Sequence, residues 1–340
     1  MIAQGFGLMK YFPVFHPFGV ALRSKSASYR FVTGDFLKEW NNSLYCRVQK
    51  MFCRFKEQAR ASHSCEKCGL AALLLFLMFL SGQARASVLL EVHGYQGDVY
   101  SWERSGVNAV LQQFGWKRAA LLLGAPDGLI PVPQEWQNAE NKVINLLLNS
   151  EAPLNGQANV FSAAIRWIND RYPAEKIIIV GHSLGGVVAR LGLVRHGAPN
   201  VKALITIASP HLGTALAYHG LDEISDPFPL NMIKDFFGGS RYDMLIRSRG
   251  LLHDIVPAVP GRLLYWLNTR PHPPIRYFSI VRSSPAGILG DPIVPGFSQD
   301  MANVPAIGKR STRTIEGFSH ELSMLDGYAL INILEQLEKK

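Results

Sequence analysis

Ser183 lies in a segment whose residue types and spacing suit nucleophilic chemistry. Four β-branched residues at 177–180 run directly into Gly181-His182-Ser183-Leu184-Gly185, and an apolar segment compatible with a helix follows. This order predicts a strand, a sharp turn and a helix, with the serine at the apex of the turn. Gly181 and Gly185 carry no side chain that would crowd the turn. We therefore expect a serine hydroxyl that stands clear of the sheet edge and can be reached by a base.

A serine hydroxyl is a poor nucleophile until a base removes its proton, and histidine is the usual base. The histidines that follow Ser183 in the chain are His196, His211, His219, His253, His272 and His320. His320 follows the last predicted strand and precedes the terminal helix, which is where the base belongs when the chain order is serine, acid, histidine. We predict His320 as the general base.

The acid that orients the histidine is expected between Ser183 and His320 in the chain. Asp291, in Gly290-Asp291-Pro292, follows a predicted strand by a short loop and is flanked by turn residues that expose its carboxylate. Asp300 and Asp254 are the alternatives. The sequence favours Asp291.

A tetrahedral oxyanion requires two backbone N–H donors. One is the amide of Leu184, directly after the serine. The other is expected in the loop His93-Gly94-Tyr95-Gln96-Gly97, which follows the first clear strand and whose glycines let the backbone approach a substrate. Tyr95 is the first choice for this donor and Gln96 the second.

Strands and helices alternate through the part of the chain that carries these residues. Strands are predicted at 88–92, 119–123, 176–180, 201–208, 275–281 and 313–316, and helices at 101–114, 138–148, 160–172, 184–195 and 322–338. This alternation predicts an α/β fold with a mostly parallel central sheet and helices on both faces. In such sheets the site lies at the carboxyl ends of the strands, where His93 and Ser183 both fall.

Residues 212–274 interrupt the alternation and are too long for an ordinary loop. They contain Asp226-Pro227-Phe228-Pro229, Phe236-Phe237 and Tyr265-Trp266. We interpret them as a mostly helical insertion that acts as a lid over the strand ends. The alternative is a helical excursion that only packs against the scaffold.

The positive charge of the chain is concentrated at its N-terminal end. The formal net charge is +9, yet residues 1–86 hold 12 basic and 4 acidic residues, whereas residues 87–340 hold 23 and 22. A nearly neutral body does not indicate a nucleic-acid-binding surface. Cys65 and Cys68 could form half of a zinc site, but no second matched pair accompanies them, so no metal is expected.

An apolar run of twelve residues occupies 69–80, and Ala84-Arg85-Ala86 follows it. The run is shorter than the roughly 20 residues of a spanning helix, so 69–86 is interpreted as a signal peptide with its cleavage site. A membrane anchor at 69–80 is the alternative. Residues 1–68 are interpreted as a basic leader, disordered or an over-extended start, and 87–340 as the folded domain. The protein is thus expected to be exported, periplasmic or secreted, or else anchored in a membrane.

Several segments of residues 88–335 together resemble the α/β-hydrolase superfamily and, within it, bacterial triacylglycerol lipases and the GPI inositol-deacylase-like group. The segments are His93-Gly94-Tyr95, residues 181–190, residues 209–214, residues 290–295 and Phe318-Ser319-His320. The resemblance implies an acyl hydrolase with Ser183, Asp291 and His320 as its triad, acting on esters that are often lipids. Pro292 departs from the pattern, because such lipases often have glycine after the aspartate.

The sequence therefore predicts a serine hydrolase that cleaves carboxylic esters, a lipase or esterase acting on acyl lipids through an acyl-enzyme intermediate. Phospholipase, thioesterase or GPI inositol-deacylase-like activity on the same residues is the alternative, and a non-catalytic binding protein of this fold is a third. A lipid or other acyl ester is the expected partner, membrane-surface association is compatible with the sequence, and no cofactor is expected.

Overall fold

The structure, a computed structural model, describes residues 86–125, 128–224, 239–283 and 290–339, without the side chains of 239–241. The predicted leader at 1–68 lies outside these ranges, as does the predicted signal segment except for residue 86. No helix within the described ranges is both long and apolar enough to span a membrane.

An eight-stranded sheet forms the centre of the described part of the chain. Its strands are β1 (Ser87–Val92), β2 (Trp116–Ala125), β3 (Gly128–Pro133), β4 (Asn141–Leu147), β5 (Lys176–His182), β6 (Val201–Ile207), β7 (Arg276–Val281) and β8 (Ser311–Ile315). The order across the sheet is β3-β2-β4-β1-β5-β6-β7-β8. Every neighbouring pair is parallel except β2 with β3. The predicted mostly parallel sheet is therefore confirmed.

Helices cover both faces of this sheet. The described α-helices are α1 (Ser101–Arg104), α2 (Val107–Gln113), α3 (Leu154–Arg171), α4 (Leu184–His196), α5 (Leu216–Glu223), α6 (Gly239–Arg247), α7 (Arg249–Ile255), α8 (Leu263–Thr269), α9 (Gly296–Gln299) and α10 (Met324–Glu338). On the fully buried β1, Leu90 belongs to a core cluster that includes residues of α3 and α4, and Leu89 to one that includes residues of α2 and α10. This split follows from the alternation of side chains along a strand. The predicted α/β-hydrolase fold is confirmed.

The predicted helix at 138–148 is wrong, because residues Asn141–Leu147 form strand β4 in the middle of the sheet. A strand between two parallel neighbours is buried on both faces and therefore reads as a continuous apolar run rather than an alternating one. The run from Val143 to Leu148 fits a buried helix equally well by periodicity.

Strand β3 was not predicted from the sequence. It contains Pro131 and Pro133 and pairs antiparallel with β2 at the edge of the sheet. Proline is tolerated there because an edge strand needs partners on one side only.

Helices α5 to α8 lie between β6 and β7, inside the predicted insertion at 212–274. Described contacts join them to the scaffold: Arg247 pairs with Glu151, and the side chain of Asp254 accepts a hydrogen bond from the amide of Leu154 at 2.9 Å. The role of this segment as a lid stays a prediction.

Candidate active site

Ser183 occupies a sharp turn between β5 and α4. Its φ of 50° and ψ of −125° place a non-glycine residue in a sparsely populated region, as a strained strand-to-helix turn requires. Its amide donates to the carbonyl of Ile207, at the end of β6, at 2.8 Å. A Cβ on Gly185 would come within 2.5 Å of the carbonyl oxygen of His93, so glycine lets α4 pack against the end of β1.

The predicted serine, histidine and aspartate form one hydrogen-bonded chain. Nε2 of His320 lies 2.9 Å from Oγ of Ser183, and Nδ1 of His320 lies 2.5 Å from Oδ2 of Asp291. A carboxylate only accepts hydrogen bonds, so the proton of a neutral His320 belongs on Nδ1. Nε2 is then free to accept the proton of the serine hydroxyl.

Four donors converge on the carboxylate of Asp291. Its Oδ1 accepts from the amides of Ile293 and Val294 at 2.8 and 3.1 Å. Its Oδ2 accepts from His320 and from Nε2 of Gln299, the latter at 3.0 Å. Burial raises the pKa of Asp291, but the hydrogen bond and charge of His320 and the bonds from the two amides outweigh it, so the pKa lies below 3.8. The carboxylate therefore stays ionised beside the imidazole.

The two alternative acids are bonded elsewhere. Oδ1 of Asp300 accepts from the amide of Ala302 at 2.8 Å, and its Oδ2 lies 3.6 Å from Arg313. Asp254 caps the amide of Leu154. Of the three candidates, only Asp291 is hydrogen-bonded to His320 in the described part of the chain.

Among the described residues, the other histidines that follow Ser183 form no hydrogen bond with its hydroxyl. His196 bonds to Asn159, the fully buried His211 to Thr206, and His272 to the carbonyl of Arg270, while His219 lies in α5 and His253 in α7.

His182 and His93, which belong to the sequence motifs, form hydrogen bonds with backbone groups around the site. His182 donates from Nε2 to the carbonyl of His320 at 2.9 Å, and burial lowers the pKa of His182 to about 3, so it is neutral. His93 donates from Nδ1 to the carbonyl of Gly94 and accepts from the amide of Leu148 at Nε2. His93 thereby ties the loop after β1 to the end of β4.

The amides of Leu184 and Tyr95 are available as oxyanion donors. Leu184 begins α4, where the first N–H groups of a helix have no intrahelical acceptor. Neither amide is hydrogen-bonded to another described residue, whereas the amide of Gln96 donates to Oγ of Ser150 at 3.0 Å. Between the two predicted choices, this geometry favours Tyr95.

A cleft of about 540 Å³ opens onto Ser183 and His320. Tyr95, Gln96, Ile293 and Leu322 are among the residues that line it. Gly94 also lines it, and a Cβ there would lie 2.9 Å from that of Ser183, so glycine keeps the space beside the hydroxyl open. Within the described ranges, no group of three or more histidine, cysteine, aspartate or glutamate residues is placed to hold a metal ion.

Residues 145–223 match the family described as a PGAP1-like alpha/beta domain. The matched stretch contains β5, the turn with Ser183, α4 and β6, but neither Asp291 nor His320. The resemblance to the α/β-hydrolase superfamily and to its GPI inositol-deacylase-like group is confirmed.

Two curated relatives and one solved structure are similar to parts of this chain. The chain is 38% identical over 80 residues to a GPI inositol-deacylase of Candida albicans, covering 22% of this chain and 17% of that protein. It is 34% identical over 71 residues to a GPI inositol-deacylase of Debaryomyces hansenii, covering 19% of this chain and 7% of the relative. The matched stretches thus span less than a fifth of each relative. A mature lipase of Bacillus licheniformis aligns in structure with a TM-score of 0.41 at 16% identity, covering 75% of this chain and 93% of that one.

Sequence reasoning missed two residues that support Asp291 through hydrogen bonds. Gln299 is buried and donates to Asp291, and the amide of Arg282 donates to the side-chain oxygen of Gln299 at 2.8 Å. Neither residue belongs to a recognisable motif. Their positions after β7 and in α9 would have been the only signal.

Proposed function

We propose that the protein is a serine hydrolase that cleaves carboxylic esters of acyl lipids. The observation that carries the proposal is the hydrogen-bonded chain from Ser183 through His320 to Asp291 at the carboxyl ends of parallel strands. Nucleophile, base and orienting acid lie within direct hydrogen-bond distance of one another, which is the arrangement that activates a serine.

In the proposed first step, Oγ of Ser183 attacks the acyl carbonyl while Nε2 of His320 takes the hydroxyl proton. Asp291 holds the Nδ1–H tautomer and stabilises the imidazolium that forms. The amides of Leu184 and Tyr95 bind the oxyanion of the tetrahedral intermediate. When the intermediate collapses, His320 gives its proton to the leaving alcohol and the acyl group remains on Ser183.

In the second step, His320 takes a proton from water, whose oxygen attacks the acyl-enzyme carbonyl. Collapse of this second intermediate returns the proton to Oγ of Ser183 and releases the carboxylic acid. The enzyme is restored with Nδ1 protonated and Nε2 free, the tautomer favoured by Asp291.

An acyl lipid is the proposed substrate because apolar side chains lie in and near the cleft, beside polar ones such as Gln96 and Arg104. Ile293 and Leu322 line the cleft, and Phe318, two residues before His320, is 67% exposed. The likeness to GPI inositol-deacylases supports a lipid ester in which the leaving alcohol is an inositol, and this is the second candidate activity.

A fluorophosphonate probe and a panel of esters test the proposal. Only an activated serine is labelled, so we expect labelling of the wild-type protein and none of Ser183→Ala, whose melting temperature should stay close to that of the wild type. Turnover of p-nitrophenyl esters should fall by orders of magnitude in the same variant. Retained turnover would overturn the assignment of Ser183, and an unlabelled, inactive wild type would favour the non-catalytic alternative.

The substrate class is tested with the same panel extended to natural lipids. Triglyceride, phospholipid, a thioester and an inositol-acylated lipid are compared by kcat/KM. The best substrate decides between lipase, phospholipase, thioesterase and inositol-deacylase activity.

We also propose that the protein is exported or anchored through residues 69–80. N-terminal sequencing of the protein recovered outside the cytoplasm tests this. A mature end upstream of residue 69 would contradict the signal peptide, and a protein that stays membrane-bound and unprocessed would favour the anchor.

A further inference from the structure

Arg282 lies directly after β7, at the start of the connection that carries Asp291, and its side chain bonds to the loop that carries His320. Its side chain is 2% exposed and forms a two-pronged ion pair with the fully buried Asp326 of α10, at 2.6 and 2.9 Å. A buried ion pair of this kind does not stabilise a fold better than apolar residues of the same size, so its presence calls for another reason.

The guanidinium also holds the loop of the proposed base at both ends. Nη1 of Arg282 donates to the carbonyl of Glu316 at 2.7 Å, and Nη2 donates to the carbonyl of Glu321 at 3.2 Å. These carbonyls flank His320 on either side in the chain. The amide of Ser283 adds a third bond, to the carbonyl of Gly317, at 3.0 Å.

The backbone of Arg282 reaches the proposed acid through Gln299. Because the amide of Arg282 is a donor, it fixes the side-chain oxygen of Gln299 toward itself, at 2.8 Å. The NH₂ group of Gln299 must then face the other way, where it donates to Oδ2 of Asp291 at 3.0 Å and to the carbonyl of Val294 at 2.7 Å.

We propose that Arg282 is a positioning residue that sets both partners of the His320–Asp291 pair, the base through its guanidinium and the acid through Gln299. Asp326 is the buried counter-ion that holds the guanidinium in place. The inference rests on the proposed function, since it concerns how the same site is aligned.

Arg282→Met alone would leave the buried charge of Asp326 without its counter-ion, with only the amide and hydroxyl of Ser323 as partners in the described structure, and is expected to destabilise the protein strongly. The test therefore uses the double variant Arg282→Met/Asp326→Leu, which removes both charges together. A second variant, Gln299→Met, removes the side-chain bonds that join the Arg282 amide to Asp291 and Val294, and it leaves the bonds of the guanidinium in place. The matched control is Lys142→Met/Glu175→Leu. It removes another mostly buried ion pair, whose charged atoms are 2.7 Å apart. This pair lies near the amino ends of β4 and β5, whereas Ser183 follows the carboxyl end of β5.

We expect the double variant and Gln299→Met to lower kcat by about 100-fold, the scale of a small misplacement of catalytic groups. KM should change less than kcat, since neither Arg282 nor Gln299 lines the cleft that opens onto Ser183. The far-downfield proton signal of the short His320–Asp291 hydrogen bond should weaken in both variants. It should persist in Ser183→Ala and in the control, and the control should keep the wild-type kcat.

Wild-type kcat together with an unchanged proton signal in the folded variants would overturn the positioning role. An equal loss of kcat in the control would do so too, because it would trace the effect to stability alone. A wild-type protein that shows neither turnover nor fluorophosphonate labelling is a different outcome, and it would overturn the proposed function itself.

Discussion

At the scale of single residues, the number of donors around each carboxylate separates the three candidate acids. Asp291 accepts four hydrogen bonds, one of them from His320. Asp300 and Asp254 cap backbone amides, and neither is hydrogen-bonded to His320 in the described structure. A carboxylate can hold one tautomer of the histidine only if it is bonded to the ring, and of the three candidates Asp291 is the one bonded to His320 in the described structure.

Asp291→Asn is expected to lower kcat by about 10⁴-fold, because an amide can donate to Nδ1 and so favour the wrong tautomer of His320. Asp300→Asn is the control, since Asp300 bonds to Ala302 and Arg313 rather than to the imidazole. Steady-state kinetics on a soluble ester and a thermal melt of each variant provide the measurement. A larger loss of kcat in Asp300→Asn than in Asp291→Asn would contradict the assignment.

Ser183, Asp291 and His320 could be proposed from sequence because each follows a strand and sits among turn residues. Arg282 and Gln299 could not be proposed in this way. Their importance depends on which carbonyl and amide groups the folded loops bring within about 3 Å, and no local pattern encodes that. His182 was noted only as part of the motif, although its ring bonds to the carbonyl of His320.

At the scale of elements, the turn at Ser183 depends on close packing between β1 and the first turn of α4. A Cβ at position 185 would collide with backbone oxygens at the end of β1, which cannot move without displacing the strand. The loop that carries Tyr95, the proposed oxyanion donor, follows that strand directly. We therefore expect packing at Gly185 and the proposed catalysis at Ser183 to be coupled through β1.

Gly185→Ala is expected to destabilise the protein by about 1–3 kcal/mol, as overpacking does, and to lower kcat together with stability. Gly156→Ala is the matched control. It lies in α3, where an added Cβ meets nothing within 4 Å, so alanine should raise stability by up to about 1 kcal/mol. Urea unfolding and ester turnover of both variants test the pair. Equal stability of the two variants would contradict the packing argument.

Some strands could be predicted from the sequence and others could not, and the difference has a physical reason. The residues of β5 and β6 were recognised because β-branched runs end in glycine or serine turns. The residues of β4 were misassigned to a helix, because helices cover both faces of the sheet at this interior strand and burial on both faces removes the alternation that would reveal a strand. Strand β3 carries prolines, which only an edge position permits. Which strand lies at the edge depends on the arrangement of the whole sheet and cannot be read from the local sequence.

At the scale of the whole molecule, one buried acid couples folding to pH. Glu91 lies in the central strand β1 and is fully buried, and its Oε2 accepts from the side chains of Asn108 and Asn145. Burial raises the pKa of Glu91 from 4.5 to about 8, although both asparagines and the charge of Arg118 oppose the shift. Oε1 of Glu91 and the amide oxygens of both asparagines lack partners in the described structure. A proton on Oε1 supplies the donor that this cluster lacks.

The sign of the pH effect follows from the raised pKa. Between pH 4.5 and about 8 the folded protein binds the proton of Glu91 more tightly than the unfolded chain does. The contribution of Glu91 to the free energy of unfolding therefore falls as pH rises through this window and levels off above it. Each unit of pKa difference corresponds to about 1.4 kcal/mol, so the effect is large enough to measure.

Glu91→Gln is expected to raise the melting temperature by several degrees at pH 8, since glutamine places a permanent donor in the cluster without a proton. The gain should shrink toward pH 5, where wild-type Glu91 is protonated. Thermal melts from pH 5 to 9 measure it, with Glu135→Gln, at an exposed position, as the control that should follow the wild type. If the melting temperatures of wild type and Glu91→Gln change with pH in parallel, Glu91 is ionised over the whole range and its charge is stabilised by groups inside the fold. In that case the asparagines and Arg118, rather than a proton, would stabilise the centre of the sheet.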